Sequence, residues 1–174
     1  MDKIEIRQAS INHVDQLQKI GRQTFYETFS GSNTEENMKG YLDESFSKEK
    51  LKVELKTEDS AFYLAVIEET VIGYLKVNFG ASQTELQDKN ALEIERIYVL
   101  KEFQGKKVGQ LLYDKAIEIA KQKAVKYVWL GVWEENARAI SFYKKNKFIE
   151  FDKHVFKLGE DEQTDIMMKL QMKS

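Results

Sequence analysis

The stretch from Glu93 to Leu112, EIERIYVLKEFQGKKVGQLL, constrains this chain more than any other. An alternating apolar strand runs through a short Gln/Gly/Lys loop straight into an amphipathic helix. A chain that turns from strand to helix in this way leaves the N–H groups of the helix's first turn without intrahelical partners. Those groups and the positive end of the helix dipole attract phosphate. The loop therefore reads as a pyrophosphate cradle set on an α/β sheet.

The rest of the chain supplies the elements such a sheet needs. Residues 3–8 alternate like a first strand. Ile11, Val14, Leu17, Ile20 and Phe25 then recur at helical spacing behind Ser10, a plausible N-cap. Residues 34–57 read as one or two further helices, and 61–68 with 71–79 as a hairpin turning across Glu69-Thr70. A polar loop from Gly80 to Asn90 leads into the strand at 91–99. The helix at about 107–123 buries a stripe of Val108, Leu111, Leu112, Ala116, Ile119 and Ala120. A strand at 126–132, a helix at 136–146 and two strands near 147–157 and 163–170 complete the chain. Hairpins mixed with crossovers predict an α/β fold with a mixed sheet.

Bulk composition narrows the function. A chain of 174 residues suits one domain over 1–174, and 42% hydrophobic with 32% charged residues is ordinary for a soluble protein. With 27 basic against 29 acidic residues the net charge is −2, which offers nucleic acid no electrostatic footing. The absence of cysteine excludes disulfides, thiol nucleophiles and thiolate metal sites. The N-terminal MDKIEIRQAS is too short and charged for a signal peptide, and no apolar run approaches spanning length, so the expected location is cytoplasmic and off the membrane. His13 and His154 stand alone, so no metal site is expected.

The loop Gln104-Gly105-Lys106-Lys107-Val108-Gly109 resembles the Gln/Arg-x-x-Gly-x-Gly/Ala phosphate loop of the GNAT superfamily of acyl-CoA N-acyltransferases, with Lys107 in place of the first glycine. A second segment, LGVWEENARAISFYKKNKF from Leu130 to Phe148, is similar to that family's other CoA-contacting segment. There an Asn opens a helix and a Tyr follows two turns later; here these are Asn136 and Tyr143. Both motifs occur in the expected order over nearly the whole chain. LEIERIYV, TFYETF, ENMKGYL and EQTDIMMKL further resemble bacterial spermidine/spermine N-acetyltransferases of the PaiA type. The resemblance implies a sheet of about seven strands with helices on both faces, acetyl-CoA as co-substrate, and a small amine, a polyamine, as acceptor. Relatives often dimerise, so a homodimer is expected too.

The same resemblance places the site. The backbone of Ile97, Tyr98 and Val99 would pair with the pantetheine arm, and the Val99 N–H would face the oxyanion. Gln104, Gly105, Lys106, Lys107, Val108, Gly109 and Gln110 would hold the pyrophosphate. Were Lys107 to need a positive φ it would be strained. Asn136 would meet the pantetheine or cap its helix, or do both. Lys145, like Lys144, either reaches a CoA phosphate or complements the helix dipole.

Acetylating an amine of pKa near 10.4 requires removing a proton, at about 4–5 kcal/mol at pH 7. Glu93 and Glu95, two residues apart, share a strand face. Glu95 is the expected base, against the alternative of an ion pair with Arg96 or a lysine. Tyr143 is at the family's position for protonating the departing thiolate, although Phe142 and Phe148 would also suit it to a core. Trp133 is expected to wall the acyl pocket and Trp129 to lie in the core. Glu27 is the expected acceptor contact. Acids crowd residues 27–59, and Glu160, Asp161, Glu162 and Asp165 gather near the last turn; such runs suit a polycation, or are merely solvated faces. Lack of a thiol favours direct attack in a ternary complex. Other amine acceptors (a protein N-terminus, lysine, amino acid or aminoglycoside) stay open, as does a CoA-binding regulatory module with little catalysis.

Overall fold

The computed structural model describes residues 3–173. Seven strands form one mixed sheet in the order β1-β2-β3-β4-β5-β7-β6: β1 Ile4–Gln8, β2 Ser60–Ile67, β3 Thr70–Phe79, β4 Ala91–Val99, β5 Tyr127–Trp133, β6 Ile149–Leu158 and β7 Asp161–Gln171. All neighbours run antiparallel except β4 and β5. Between those two lies the crossover helix α4, Val108–Gln122, since a parallel pair cannot be joined by a tight turn.

Helices cover both faces. On one side α1 (Val14–Phe29), α2 (Glu35–Ser45) and α3 (Lys48–Lys56) pack Leu17, Ile20, Phe25, Met38 and Leu51 against Phe62, Leu64 and Tyr74. On the other, α4 and α5 (Ala137–Lys145) bring Leu112, Ala116, Ala120 and Tyr143 onto Leu75, Leu92, Ile94 and Leu130. Capping divides 34–57 into two helices. The Thr34 hydroxyl accepts from Asn37 N–H at 3.1 Å, and that of Ser47 from Lys50 N–H at 3.2 Å.

Two local expectations shift. The first hairpin turns at Glu68-Glu69, one residue earlier, with φ of 46° and 66°. Two positive-φ residues give the turn whose twist matches the strands. In α4, Leu111 is 37% exposed and Tyr113 is buried in its stead at 5%, so the buried stripe keeps six residues but is turned toward Tyr113.

The feature that positions the site is a split in the sheet. β4 pairs with β5 only from Ala91–Ile94 to Tyr127–Leu130. Beyond that, β4 stays with β3 as far as Val99, while β5 stays with β7 as far as Trp133. A register shift opposite Lys76/Val77 leaves Glu95 as the extra residue of a bulge in β4, and bulges bend and twist the strand that carries them. The two strands diverge from there, leaving backbone edges facing each other across a gap.

Candidate active site

A cavity of about 280 Å³ opens into this split. Glu93–Tyr98 of β4 line one side and Trp129–Trp133 of β5 the other. Asn136 and Tyr143 of α5 lie at one end, and Phe25, Phe29, Tyr41 and Phe46 of α1 and α2, with Phe156 of β6, form an aromatic wall. Phe29 packs on Trp133 at 4.9 Å between ring centroids.

The loop leading into α4 has the conformation a phosphate cradle needs. Gly105 and Lys107 both take positive φ, 84° and 68°. No side chain caps α4, whose first backbone bond runs from Leu111 N–H to Lys107 C=O at 3.1 Å. The N–H groups of Val108, Gly109 and Gln110 are therefore left without intrahelical acceptors, and the left-handed turn ahead of them curves the backbone into an anion-binding concavity. Lys107 carries the strain its replacement of glycine implies, about 1–2 kcal/mol for a side chain in this region. Gln104 anchors the loop, donating to Val99 C=O at 3.3 Å and accepting from Arg138 at 3.1 Å.

Arg138, in the first turn of α5, is thus a cation at the phosphate loop that the sequence reading passed over. Its signal was an Arg two residues after Asn136. Lys145, by contrast, is exposed on an outer face of α5, in a shallow groove with Glu134, Ala137 and Lys144. The Asn136 side chain caps α5 by accepting from Ala139 N–H at 3.2 Å, and it lines the cavity as well. Ile97 and Tyr98 line the cavity, whereas Val99 lies just beyond it beside Gly109. The uncapped helix, the curved loop and the open strand edges together suit a long anionic thioester such as acetyl-CoA.

Tyr143 is 5% exposed, packed among Phe142, Phe148 and Tyr113, and yet it borders the cavity. Burial pushes its phenol well above the ordinary range. A phenol in that state keeps its proton and can offer an O–H hydrogen bond to a charge that develops beside it. Tyr143 is thus a core aromatic that also borders the cavity.

The two carboxylates of β4 have opposite environments. Glu95 accepts from Lys76 at 2.8 Å and Asn78 at 2.8 Å, and faces Arg96 at 3.3 Å. Burial acts to raise its pKa, but Arg96 and Lys76 outweigh burial and hold it at about 2. It belongs to a buried network in which Glu54 also pairs with Lys76 at 2.6 Å and Arg96 at 3.4 Å. The ion-pair alternative is therefore the geometry of Glu95, and a carboxylate so acidic is a weak proton acceptor. Glu93, 3% exposed, takes hydrogen bonds from Thr84 N–H at 2.8 Å, from the Thr84 hydroxyl and from Asn78 at 3.0 Å. Burial raises its pKa despite these bonds.

The acceptor side differs from expectation. Glu27 does not line the cavity; its carboxylate accepts from Lys101 N–H at 3.0 Å and ties α1 to the end of β4. None of the acids in 27–59 lines the cavity either. Of the acids near the last turn only Asp165 does, facing Gly131 with burial raising its pKa. His154 pairs with Glu85 at 3.0 Å on the same wall. Trp133 borders the cavity. Trp129 is buried, its indole N–H bonded to Gln83 at 2.7 Å. No group of residues suited to a metal occurs among the described residues, and none of their helices is long and apolar enough to cross a membrane.

Known proteins agree with this arrangement. The sequence pattern of the Acetyltransferase (GNAT) family matches residues 22–148. An uncharacterised N-acetyltransferase of Lactobacillus delbrueckii subsp. lactis is 38% identical over 97% of this chain and 98% of its own length. The spermidine N(1)-acetyltransferase of Thermoplasma acidophilum is 32% identical over 83% of this chain and 88% of its own. A crystal structure of the PaiA N-acetyltransferase of the same organism, in complex with coenzyme A, superposes with a TM-score of 0.81 and 30% identity, covering 98% of this chain and 99% of that one. With a split sheet, an uncapped helix behind a left-handed loop, and a buried tyrosine at the cavity, this chain belongs to the GNAT family of N-acetyltransferases.

Proposed function

We propose that this protein transfers the acetyl group of acetyl-CoA to a primary amine of a polyamine such as spermidine or spermine, by direct attack in a ternary complex. The observation that carries the choice of acceptor is Asp165. Its carboxyl borders a cavity whose far wall is aromatic. A carboxylate beside ring faces suits an alkylammonium group. The Thermoplasma spermidine acetyltransferase supports the same choice.

The thioester supplies an activated acetyl carbon; the protein's residues manage protons and orientation. The ammonium gives one proton to a cavity carboxylate, directly or through one water. Although Glu95 was the expected base, Glu93 is the better acceptor, because burial favours its protonated form while Arg96 and Lys76 oppose protonation of Glu95. The freed nitrogen attacks the acetyl carbon, and the C–S bond breaks as the tetrahedral intermediate collapses. Tyr143 hydrogen-bonds the departing thiolate and relays to it the second proton lost by nitrogen, so that the phenol ends as it began. Backbone amides around Val99 face the developing oxyanion, while Ile97 and Tyr98 pair with the pantetheine arm. Gln104–Gln110, with Arg138, hold the pyrophosphate, and Lys145 reaches outlying phosphate at most. Trp133 walls the acyl group.

We place the protein in the cytoplasm, as a homodimer. The edge strand β6, which exposes Ile149 and Val155 at 62% and 53%, is the edge we assign to that contact. Sedimentation of a Val155→Asp variant tests it, a dimer surviving unchanged there placing the interface elsewhere.

The acceptor is tested by CoA release from acetyl-CoA with spermidine, spermine, putrescine, lysine, peptides and an aminoglycoside. The chain has no cysteine, so a thiol reagent reads product alone. Preference for spermidine or spermine by tenfold or more is expected. Turnover of a peptide or aminoglycoside in their place removes the polyamine assignment.

A further inference from the structure

The side-chain amide of Asn78 does more than satisfy itself in the sheet. Asn78 is fully buried on β3 opposite Glu93. Its one NH2 group donates to both cavity carboxylates, Glu93 Oε1 at 3.0 Å and Glu95 Oε1 at 2.8 Å. Its carbonyl accepts from the Ser60 hydroxyl at 2.8 Å. That third bond fixes which way the amide points, since a hydroxyl facing Oδ1 turns both N–H groups toward the carboxylates. The bulge at Glu95 makes this possible by bringing two residues of β4 within reach of one side chain of β3.

We propose that Asn78 is a positioning residue that holds Glu93 beside the ionised Glu95 at the cavity wall and so keeps Glu93 able to accept the proton of the amine, with Ser60 orienting Asn78 in turn. This rests on the acetyl-transfer reading above. Two carboxylates on one short strand segment repel, and each discourages ionisation of the other. Lys76 and Arg96 keep Glu95 charged. Glu93 feels that charge, and without the Asn78 N–H between them it binds its proton more tightly. It would then already be protonated at pH values where it must accept. The step itself is simple: a proton leaves the ammonium nitrogen, an O–H bond forms at Glu93, and Asn78 gains or loses no proton.

The test pairs kinetics with titration in Asn78→Leu and Ser60→Ala. Leucine matches asparagine in shape without its donors, and Ser60 does not line the cavity. For Asn78→Leu the acid limb of the kcat/KM profile should move up by about one pH unit, with activity down about tenfold at low pH and largely regained at high pH. The KM for acetyl-CoA should stay within about twofold. Ser60→Ala should move the limb the same way by less. Carbon-13 titration of the two glutamate carboxyls reads the coupling without turnover: in wild type Glu95 stays ionised while Glu93 titrates, and Asn78→Leu raises the Glu93 transition. A uniform loss of rate with the limb and both titrations unmoved would mean a structural role only and overturn the proposal. Should Asn78→Leu fail to fold, an unmoved titration in Ser60→Ala overturns it alone. If wild type acetylates no amine, the functional reading fails while the titration still decides whether Asn78 couples the pair.

Discussion

The two sides of the cavity are built in different ways. The side expected to take the donor comes from contiguous segments: β4 and the run from Asn136 to Tyr143 at the cavity, with the loop 104–109 and the first turn of α4 beyond its end. The acceptor side is assembled from residues far apart in sequence, with Phe25 and Phe29 from α1, Tyr41 and Phe46 from the next helix and its end, Phe156 from β6 and Asp165 from β7. Backbone geometry dominates on the donor side, where open strand edges and helix amides are the groups on offer. Side-chain chemistry dominates on the acceptor side. A common donor needs a fixed backbone frame; a particular amine needs only a few side chains at its wall, which substitutions change without disturbing the fold.

Variants on the two sides should therefore part along kcat and KM. The largest effect belongs to Tyr143→Phe, which lowers kcat by about 100-fold with CoA affinity kept, because its contribution is made in the transition state. Calorimetric CoA binding beside steady-state rates checks this. Unchanged turnover would take Tyr143 out of the chemistry and blur the division.

Acidification probes the wall the two sides share. Glu95 is held at about 2 in the fold against an ordinary value of 4.5. The folded state thus prefers it ionised, so its contribution is complete above about pH 4.5 and is lost as pH falls toward 2. The loss is on the order of 3 kcal/mol. Glu93, with its pKa raised, acts in the opposite sense and returns part of that loss as it protonates. Urea midpoints from pH 6 to 2.5 should fall in wild type and fall less in Glu95→Gln. Parallel curves would show that the network does not hold Glu95 ionised.

Asp165→Asn should raise KM for spermidine about tenfold, corresponding to one charge-assisted contact, with KM for acetyl-CoA unmoved. Equal changes in both constants would mean that the acceptor wall is not separate from the donor site. The smallest effect is expected of Lys107→Gly. Releasing the side chain from a φ of 68° should stabilise the fold by about 1 kcal/mol, or about 2–4 °C in Tm, measured by thermal melting. CoA affinity measured on the same variant shows whether the lysine's charge compensates for its strain.

Periodicity and spacing were sufficient wherever one segment makes its own structure. The strand-loop-helix at Glu93–Leu112, the Asn136 cap, and the face shared by Asn136 and Tyr143 follow from rules acting over a few residues. The left-handed Lys107 was legible too, as strain in a loop that wants glycine there. What sequence could not carry is pairing at a distance. The choice between Glu93 and Glu95 turns on Lys76, Asn78 and Glu54, whose meeting depends on strand register and a bulge. Acid counts in 27–59 left a polycation wall and a solvated face both open, because a count says nothing about which way a carboxylate faces, and none of those acids lines the cavity. Glu27 went to a backbone N–H, and Asp165, one acid among several, came to the cavity because β7 inserts between β5 and β6. Local backbone preference and amphipathic period determined the elements and the donor half of the site. Only the tertiary structure decided which carboxylates meet, because proton affinity depends on charges and burial brought together across the sheet.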